Sequence, residues 1–477
     1  MTELVTSAVG GRIVECNDEF FAEAANLLSS DPPVWKEGEY TDHGKWMDGW
    51  ETRRRREAGH DWCVIGLGIP GQVEKVTIDT AFFTGNYPEE FSLEACGVGS
   101  DDLLEAAEWI ELVSKSPLQG DSIAKFEVGN DHRVTHLRLN IFPDGGVARL
   151  RVEGSPVPSI HEVCPESGSV DLASLVVGGE ALETSDAHYS PPSNMLRPTT
   201  PKGMWDGWET KRRRDSGHDW ATFRLGMAGV VEEFVVDTRH FKGNSPGWVS
   251  VHVAGPDEVW HEVLTRAPVE ADSVNRLPLD EPVEAVLVRL DIHPDGGVAR
   301  FHVLGRAHSE AAADRRVDYL NALFDQPATY FFKAACSSSK WVEAMRESRP
   351  FNSVAEVLGA AERSFDLLEE ADWLEAFAGH PRIGETGDPV ANKEQSAMGE
   401  AEVETLEALA DANARYEDEF GFTYIVFAIG KNAVEMLSIA NSRLGNSRDQ
   451  EVANAAGEQR LITRTRLRRM LCQNGLE

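Results

Sequence analysis

Cysteine is scarce. The 477-residue chain has six, Cys16, Cys63, Cys96, Cys164, Cys336 and Cys472, and no two form a C-x-x-C pair. That excludes a disulfide scaffold and a cysteine zinc site, and it predicts reduced thiols in a cytoplasm. Positive charge is in deficit as well. The 46 Lys and Arg face 80 Asp and Glu, giving a formal net charge of −34. So acidic a chain repels a phosphate backbone, which argues against nucleic acid as a partner. Long hydrophobic runs are missing too. No stretch approaches the roughly 18 consecutive apolar residues of a membrane span. The start, MTELVTSAVGGRIVECNDEFF, lacks a basic segment followed by an apolar one, so no signal peptide is expected.

What is present is a phrase that occurs twice. WMDGWETRRRREAGHDW at 46–62 returns as MWDGWETKRRRDSGHDW at 204–220. Upstream, Gly10-Gly11, Asp18 and Asn26 answer to Gly178-Gly179, Asp186 and Asn194 at an offset of 168. Downstream, Ile78-Asp79-Thr80 answers to Val236-Asp237-Thr238, and Phe83, Gly85 and Asn86 to Phe241, Gly243 and Asn244. PDGGVAR recurs at 143–149 and 294–300, the offset now shortened to 151. Motifs kept in order while loops shorten are the mark of a duplicated structural unit.

Each copy reads as β. Val134, His136, Arg138 and Asn140 alternate with Leu137, Leu139 and Ile141, and Val73 to Asp79 alternates similarly. PDGG then predicts a hairpin turn leading into Val147–Val152. Short strands separated by Gly, Pro, Asn and Asp predict an antiparallel sandwich or jelly roll. The polar PESGSVDLAS at 165–174 predicts a linker between the copies.

After Gly305 the texture becomes Ala-, Leu- and Glu-rich. Helical stripes run through Phe365, Leu368, Trp373, Leu374 and Phe377, then Val403 to Phe420, then Val434, Leu437, Ala440 and Leu444, with Asn432 able to cap the last. GFTYIVFAIG at 421–430 is apolar, bounded by glycines, and suits a buried extended piece between helices. The organisation expected is two tandem all-β jelly-roll repeats, 1–165 and 166–310, followed by an all-α domain, 318–477.

The repeated phrase supplies acids, arginines and a His-Asp pair flanked by Trp. A histidine with carboxylates can activate water. Arginine forks suit a carboxylate or ureido substrate. Candidate catalytic residues are therefore Glu51, His60 and Asp61 in the first copy and Glu209, His218 and Asp219 in the second. Candidate substrate-binding arginines are Arg54, Arg55, Arg212 and Arg213. Any one of these is as readily structural, the tryptophans packing a sandwich edge and the charges pairing with each other. Asp79 and Asp237 suit turn formation as well as catalysis. Metal dependence is left open by the residue types alone.

GKWMDGWETRRRR, GHDW, DTAFFTGNYPE and PDGGVARLRVEG, together with the duplication, resemble the allantoicase family. The resemblance covers about two thirds of the chain. It implies two jelly-roll repeats that hydrolyse allantoate to ureidoglycolate and urea. A jelly roll can also be a non-catalytic ligand-binding module, and fold alone does not choose between the two.

In the C-terminal part, HPRIG at 380–384 follows a helix, and KEQS at 393–396 heads an acidic one. A converging His and Glu could share proton transfer. Taken with FGFTYIVFAIGKNAVEML, SRLGN and TRTRLRRML, these motifs resemble the OHCU decarboxylases, which act on 2-oxo-4-hydroxy-4-carboxy-5-ureidoimidazoline. The resemblance implies a cofactor-free helical enzyme with His380 as acid/base. It implies that Glu394 and Gln395 hold the ring and ureido group. Tyr424, Ile425, Val426, Phe427 and Ala428 would lend backbone groups, and Arg466 would hold a carboxylate. Pro381, Ala391, Asn392 and Lys393 complete the expected substrate-binding set. Losing CO₂ leaves a carbanion whose charge the substrate's own carbonyl and imine accept, so no electron-sink cofactor is required. The joint expectation is a bifunctional enzyme of purine breakdown acting on small molecules, with oligomeric state left open.

Overall fold

The computed structural model describes residues 1–165, 168–382 and 403–471. It divides into two units, Met1–Phe324 and Asp325–Glu477.

In the first unit, repeat one is built on β1 (Asp61–Asp79), β2 (Glu90–Cys96), β3 (Ile110–Pro117), β4 (Val134–Phe142) and β5 (Arg149–Pro156). Their order in the sheet is β5-β1-β4-β2-β3, and every pairing is antiparallel. β1 carries the architecture. Asp61 to Gly66 pair with β4, whereas Gly71 to Asp79 pair with β5. The strand changes partners through GLGIPG at 66–71. Gly68 makes the crossing feasible, because a Cβ there would lie 2.5 Å from the Val9 carbonyl oxygen and 2.6 Å from the Gly11 nitrogen.

This pairing corrects the expected hairpin. β4 and β5 flank β1 on different stretches of its length and do not pair with each other. PDGG is instead a crossing between layers, after which Gly146-Val147 pair with Trp50-Glu51. The Asp-Gly signal marked a reversal of the chain but could not say which strand the chain would rejoin. The alternation holds from His136 onward, with Leu137, Leu139 and Ile141 fully buried in the core with Ile65, Val76 and Ile78, whereas Val134, before an irregularity in the pairing, joins the same core.

Repeat two uses β6 (Asp219–Asp237), β7 (Trp248–Ala254), β8 (Trp260–Pro268), β9 (Val274–His293) and β10 (Arg300–Ala307), in the order β10-β6-β9-β7-β8. It closes around its own core, including Phe223, Phe234, Val251, Leu290 and Phe301. The expected linker is only partly one. Val170-Asp171 pair with β10, and Leu172 and Ala173 are fully buried. These residues open repeat two as Leu4 and Val5 open repeat one. Helix α1 (Ser309–Ala322) also falls in the first unit, with Ala312 in the second repeat's core.

The second unit is helical: α2 (Asp325–Ala335), α3 (Ser339–Glu347), α4 (Val354–Phe365), α5 (Glu370–Ala378), α6 (Val403–Phe420), α7 (Ala433–Arg443) and α8 (Arg448–Met470). The Phe365–Phe377 stripe spans two helices. The break at 366–369 leaves Phe365 stacked on Trp373, ring centroids 5.2 Å apart, so one apolar face continues across the turn. Asn432 caps α7 as expected, its Oδ1 accepting from Glu435 N at 3.0 Å. The buried face of that helix is Ala433, Met436 and Ala440, while Val434 is exposed. Of the expected stripe, Ala440 is buried, Leu437 and Leu444 are half-buried, and Val434 alone is exposed. Gly421–Gly430 joins α6 to α7 without helix, and Tyr424, Ile425 and Val426 within it are buried.

Candidate active sites

The repeated phrase first builds a brace. Trp50 and Trp208 are fully buried, and their Nε1 atoms donate to the carbonyls of Asp18 and Asp186, each at 2.8 Å. Thr52 N donates to Gly145 O at 3.1 Å, and Thr210 N to Gly296 O at the same distance. Arg55 is gripped twice, by Asp144 through its backbone N (2.9 Å) and by Asp61 through Nη1 (2.5 Å). Arg213 repeats this with Asp295 (2.7 Å) and Asp219 (2.7 Å). Glu51 and Glu209 each accept from an asparagine amide, Asn86 or Asn244, at 2.6 Å. Burial pushes the Glu51 carboxyl above its usual range, the Asn86 bond opposing. PDGG thus belongs to the same structure: its Asp anchors the arginine loop. Arg54 and Arg212 lie exposed on that loop. Asp79 and Asp237 act as turn formers, accepting from the backbone N of Ala81 and Arg239.

His60 and Asp61 diverge. Successive residues entering a strand point to opposite faces, so Asp61 turns to the arginine loop while His60 turns into a cleft on the outer face of β1 and β4. The same separation holds for His218 and Asp219. The cleft of repeat one, about 890 Å³, is lined by His60, Trp62, Ser92, Glu94, Trp109, Glu111, Arg138, Asn140 and Phe142, among others. That of repeat two, about 660 Å³, has His218, Trp220, Ser250, His252, Trp260, Glu262, Arg289, Asp291 and His293 in the corresponding places. Strand register fixes the equivalence. Asn140 sits opposite Trp62 and Ser92, and Asp291 opposite Trp220 and Ser250.

The clefts differ in chemistry. In repeat one, His60 Nε2 meets Asn140 Oδ1 at 3.2 Å, and Asn140 Nδ2 donates to Ser92 Oγ (3.2 Å) and Glu94 Oε2 (3.1 Å). In repeat two, the buried Asp291 carboxylate accepts from His218 Nε2 (3.1 Å) and Arg289 Nε (2.8 Å), and its other oxygen lies 2.9 Å from His252 Nδ1. His293 stacks beside His218 with ring centroids 4.7 Å apart. Burial lowers the His293 pKa, and the neighbouring His218 and Arg266 lower it further. The strand residues Asp291, His252 and His293 were not found from the sequence. The signal available was the change of Asn140, Glu94 and Phe142 to Asp, His and His between copies. Among the described residues no group of three or more His, Cys, Asp or Glu is arranged to hold a metal ion.

In the helical unit, His380 follows the end of α5, half-buried, and its Nε2 lies 2.7 Å from Gln459 Oε1 on α8. Gln459 Nε2 donates to Thr463 Oγ1 at 3.0 Å, and both residues are fully buried. Thr463 in turn hydrogen-bonds Cys336, whose thiol burial pushes up to about 11. Pro381 is half-buried, and Arg382 beyond it pairs with Glu417 at 2.7 Å. The Tyr424–Ala428 backbone is held by one acid and one arginine. Glu458 accepts from Phe427 N (2.8 Å) and from Arg443 Nη2 (2.7 Å), while Arg443 Nη1 donates to Ile425 O (3.0 Å). Arg466 is half-buried on α8, about two turns beyond Gln459. Ala391, Asn392, Lys393, Glu394 and Gln395 lie outside the described residues.

Comparison with known proteins places both halves. An allantoicase repeat model matches residues 2–157 and 170–308, and an OHCU decarboxylase model matches residues 321–468. A Pseudomonas fluorescens (strain SBW25) protein named "Probable allantoicase" is 44% identical over 318 residues, covering 64% of this chain and 95% of the relative. One of the same name from Acinetobacter baumannii (strain SDF) is 41% identical over 321 residues, covering 64% and 94%. The crystal structure of allantoicase from Saccharomyces cerevisiae is 35% identical with a TM-score of 0.55, covering 64% of this chain and 92% of that one.

Proposed function

Since the chain belongs to the allantoicase family and carries an OHCU decarboxylase domain, it is a bifunctional enzyme of urate catabolism, and we propose that its hydrolysis runs in a cleft below the repeated His and its decarboxylation at His380. What supports the first placement is the recurrence of one constellation at one strand register: His beside Asn140 or Asp291, with Arg138 or Arg289 and Trp62 or Trp220 adjoining. In allantoate a single carbon carries a carboxylate and two planar ureido groups. An arginine fork suits the carboxylate, and a tryptophan face suits a ureido plane. Of the phrase residues, His60 and His218 face the clefts. Glu51, Asp61, Glu209, Asp219, Arg55 and Arg213 brace the loops that frame them.

For the decarboxylase, His380 handles the proton and Gln459 fixes its ring. The backbone from Tyr424 to Ala428, pinned through Glu458 and Arg443, presents amide and carbonyl groups to the substrate. Arg466 would hold the carboxylate, with Glu394 and Gln395 as its companions. The delocalised carbanion left by CO₂ loss then needs only stereospecific protonation, which gives (S)-allantoin. We take 1–165 and 166–310 as the repeats and 318–477 as the decarboxylase, in a reducing cytoplasm that suits the five free thiols among the described residues.

The test is assay of the full chain on both substrates. His380→Ala should abolish decarboxylation of OHCU and leave urea release from allantoate intact. Decarboxylation that persists in that variant would refute the placement at His380.

A further inference from the structure

The two clefts share a register but not a chemistry, and the difference decides which one can hydrolyse an anion. We propose that the allantoate-hydrolysing centre is the cleft of repeat two, built from His218, His252 and Asp291, and that the cleft of repeat one performs no hydrolysis. The inference rests on the allantoicase reading above and adds the site to it.

Charge is the first argument. The cleft of repeat one is lined by six carboxylates, Glu15, Glu94, Asp101, Asp102, Glu105 and Glu111, against one arginine, Arg138. A carboxylate substrate entering there meets like charge in a partly enclosed space. Repeat two offers Arg266 and Arg289 with three histidines against three carboxylates, Glu183, Glu262 and Asp291, of which Asp291 is already engaged by Arg289.

Proton transfer is the second. Hydrolysis here forms a bond between the water oxygen and the carbon carrying the two ureido groups. It breaks the bond from that carbon to one ureido nitrogen, and the electron pair leaves with the nitrogen. The water's proton goes to a base, and an acid delivers a proton to the departing nitrogen, so that urea leaves neutral. The reaction therefore needs two groups that exchange protons near neutral pH, one on each side of one carbon. His218 and His252 meet this need. They approach opposite oxygens of a single buried carboxylate, at 3.1 and 2.9 Å; Asp291 accepts a hydrogen bond from His218 and so orients that ring, while the His252 Nδ1 beside it makes no hydrogen bond. In repeat one the same strand positions hold Asn140 and Glu94. The Asn140 amide sets no charge against a histidine, and His60 is the one histidine among the residues lining that cleft.

Asp291 is a positioning residue and the two histidines are the catalytic ones. Repeat one supplies a near-isosteric control, because Asp291→Asn converts the second cleft's central residue to the first cleft's own. In the full chain we expect Asp291→Asn and His252→Ala to lower kcat for urea release by roughly 10²- to 10⁴-fold. KM should change little for Asp291→Asn, and OHCU decarboxylation by the same samples should be unchanged. Glu94→Gln in repeat one should keep wild-type kcat. Wild-type kcat in Asp291→Asn, or a comparable loss in Glu94→Gln, would overturn the assignment. A wild-type chain that releases no urea from allantoate would overturn the allantoicase reading itself, which separates the two failures. A loss in Asp291→Asn with altered thermal unfolding is resolved by Asp291→Glu. Partial recovery of kcat supports the carboxylate role, and no recovery with restored folding counts against it.

Discussion

His380 Nε2 lies 2.7 Å from Gln459 Oε1, and that contact fixes which ring nitrogen carries the proton. The amide's other end donates to Thr463 Oγ1 at 3.0 Å, so its oxygen faces the imidazole. Nε2 is then the donor to that oxygen. Gln459→Ala should lower kcat for decarboxylation roughly tenfold or more by freeing the tautomer. Gln459→Glu should shift the kcat-pH profile instead, because a carboxylate against the ring favours the imidazolium and moves the His limb to higher pH. A packing role alone would change unfolding temperature in both variants and leave the profile in place.

Arg300 and Asp206 form an ion pair at 2.9 Å in which each side chain is about 1% exposed. Arg300 also donates to the carbonyls of Thr199, Asp206 and Ala299, so its donors are well used. Asp206→Ala would leave a guanidinium buried without its carboxylate. We expect a loss of about 3–5 kcal/mol in chemical denaturation. Burial already pulls the Arg300 pKa below its ordinary value, although Asp206 opposes this. Replacing both residues by apolar ones of similar volume should cost much less than the single change. Equal losses in the single and double variants would count against the account.

Much of this was legible in the sequence, and the parts that were not share a cause. Periodicity located β4 through Leu137, Leu139 and Ile141, and α7 through its Asn432 cap, because each signal lies within one element. The partner of β4 was misjudged because pairing is a tertiary choice: PDGG reads as a turn wherever the chain goes next. His60 and Asp61 were grouped because they are neighbours in the chain, yet strand geometry sends neighbours to opposite faces. Asp291, His252 and His293 were missed for the converse reason. They converge from two strands about forty residues apart in sequence, and each alone is an unremarkable polar residue on an alternating strand.

The repeated glycines of PDGG explain why that motif stays unchanged between copies. A Cβ on Gly146 would sit 2.0 Å from the Phe83 ring, and one on Gly297 would sit 1.9 Å from the Phe241 ring. Both rings are fully buried and cannot retreat. Gly146→Ala and Gly297→Ala should each cost about 1–3 kcal/mol as overpacking. The effect should be partly relieved by pairing Gly146→Ala with Phe83→Leu. Thermal unfolding of the single and paired variants checks this, and absence of relief would place the strain elsewhere.

Cys336 supplies a prediction at alkaline pH. Its thiol is buried against Thr463, and burial raises its pKa from 9.0 to about 11, with hydrogen bonds from Ser338 and Thr463 opposing. In the unfolded chain the thiol ionises near its ordinary pKa, whereas in the folded state it stays neutral. The folded state therefore holds a proton that the unfolded state has lost between these two values. By linkage, stability falls as pH rises through that window and is unaffected by this thiol below it. Wild-type protein should lose stability between about pH 9 and pH 11, and Cys336→Ala should lose less over the same range. Alkylation followed by peptide mapping gives a second readout. At pH 8 the half-buried Cys164 should react well before Cys336. Prompt alkylation of Cys336 at pH 8 in folded protein would mean that the chain from His380 through Gln459 and Thr463 does not end in a closed interior.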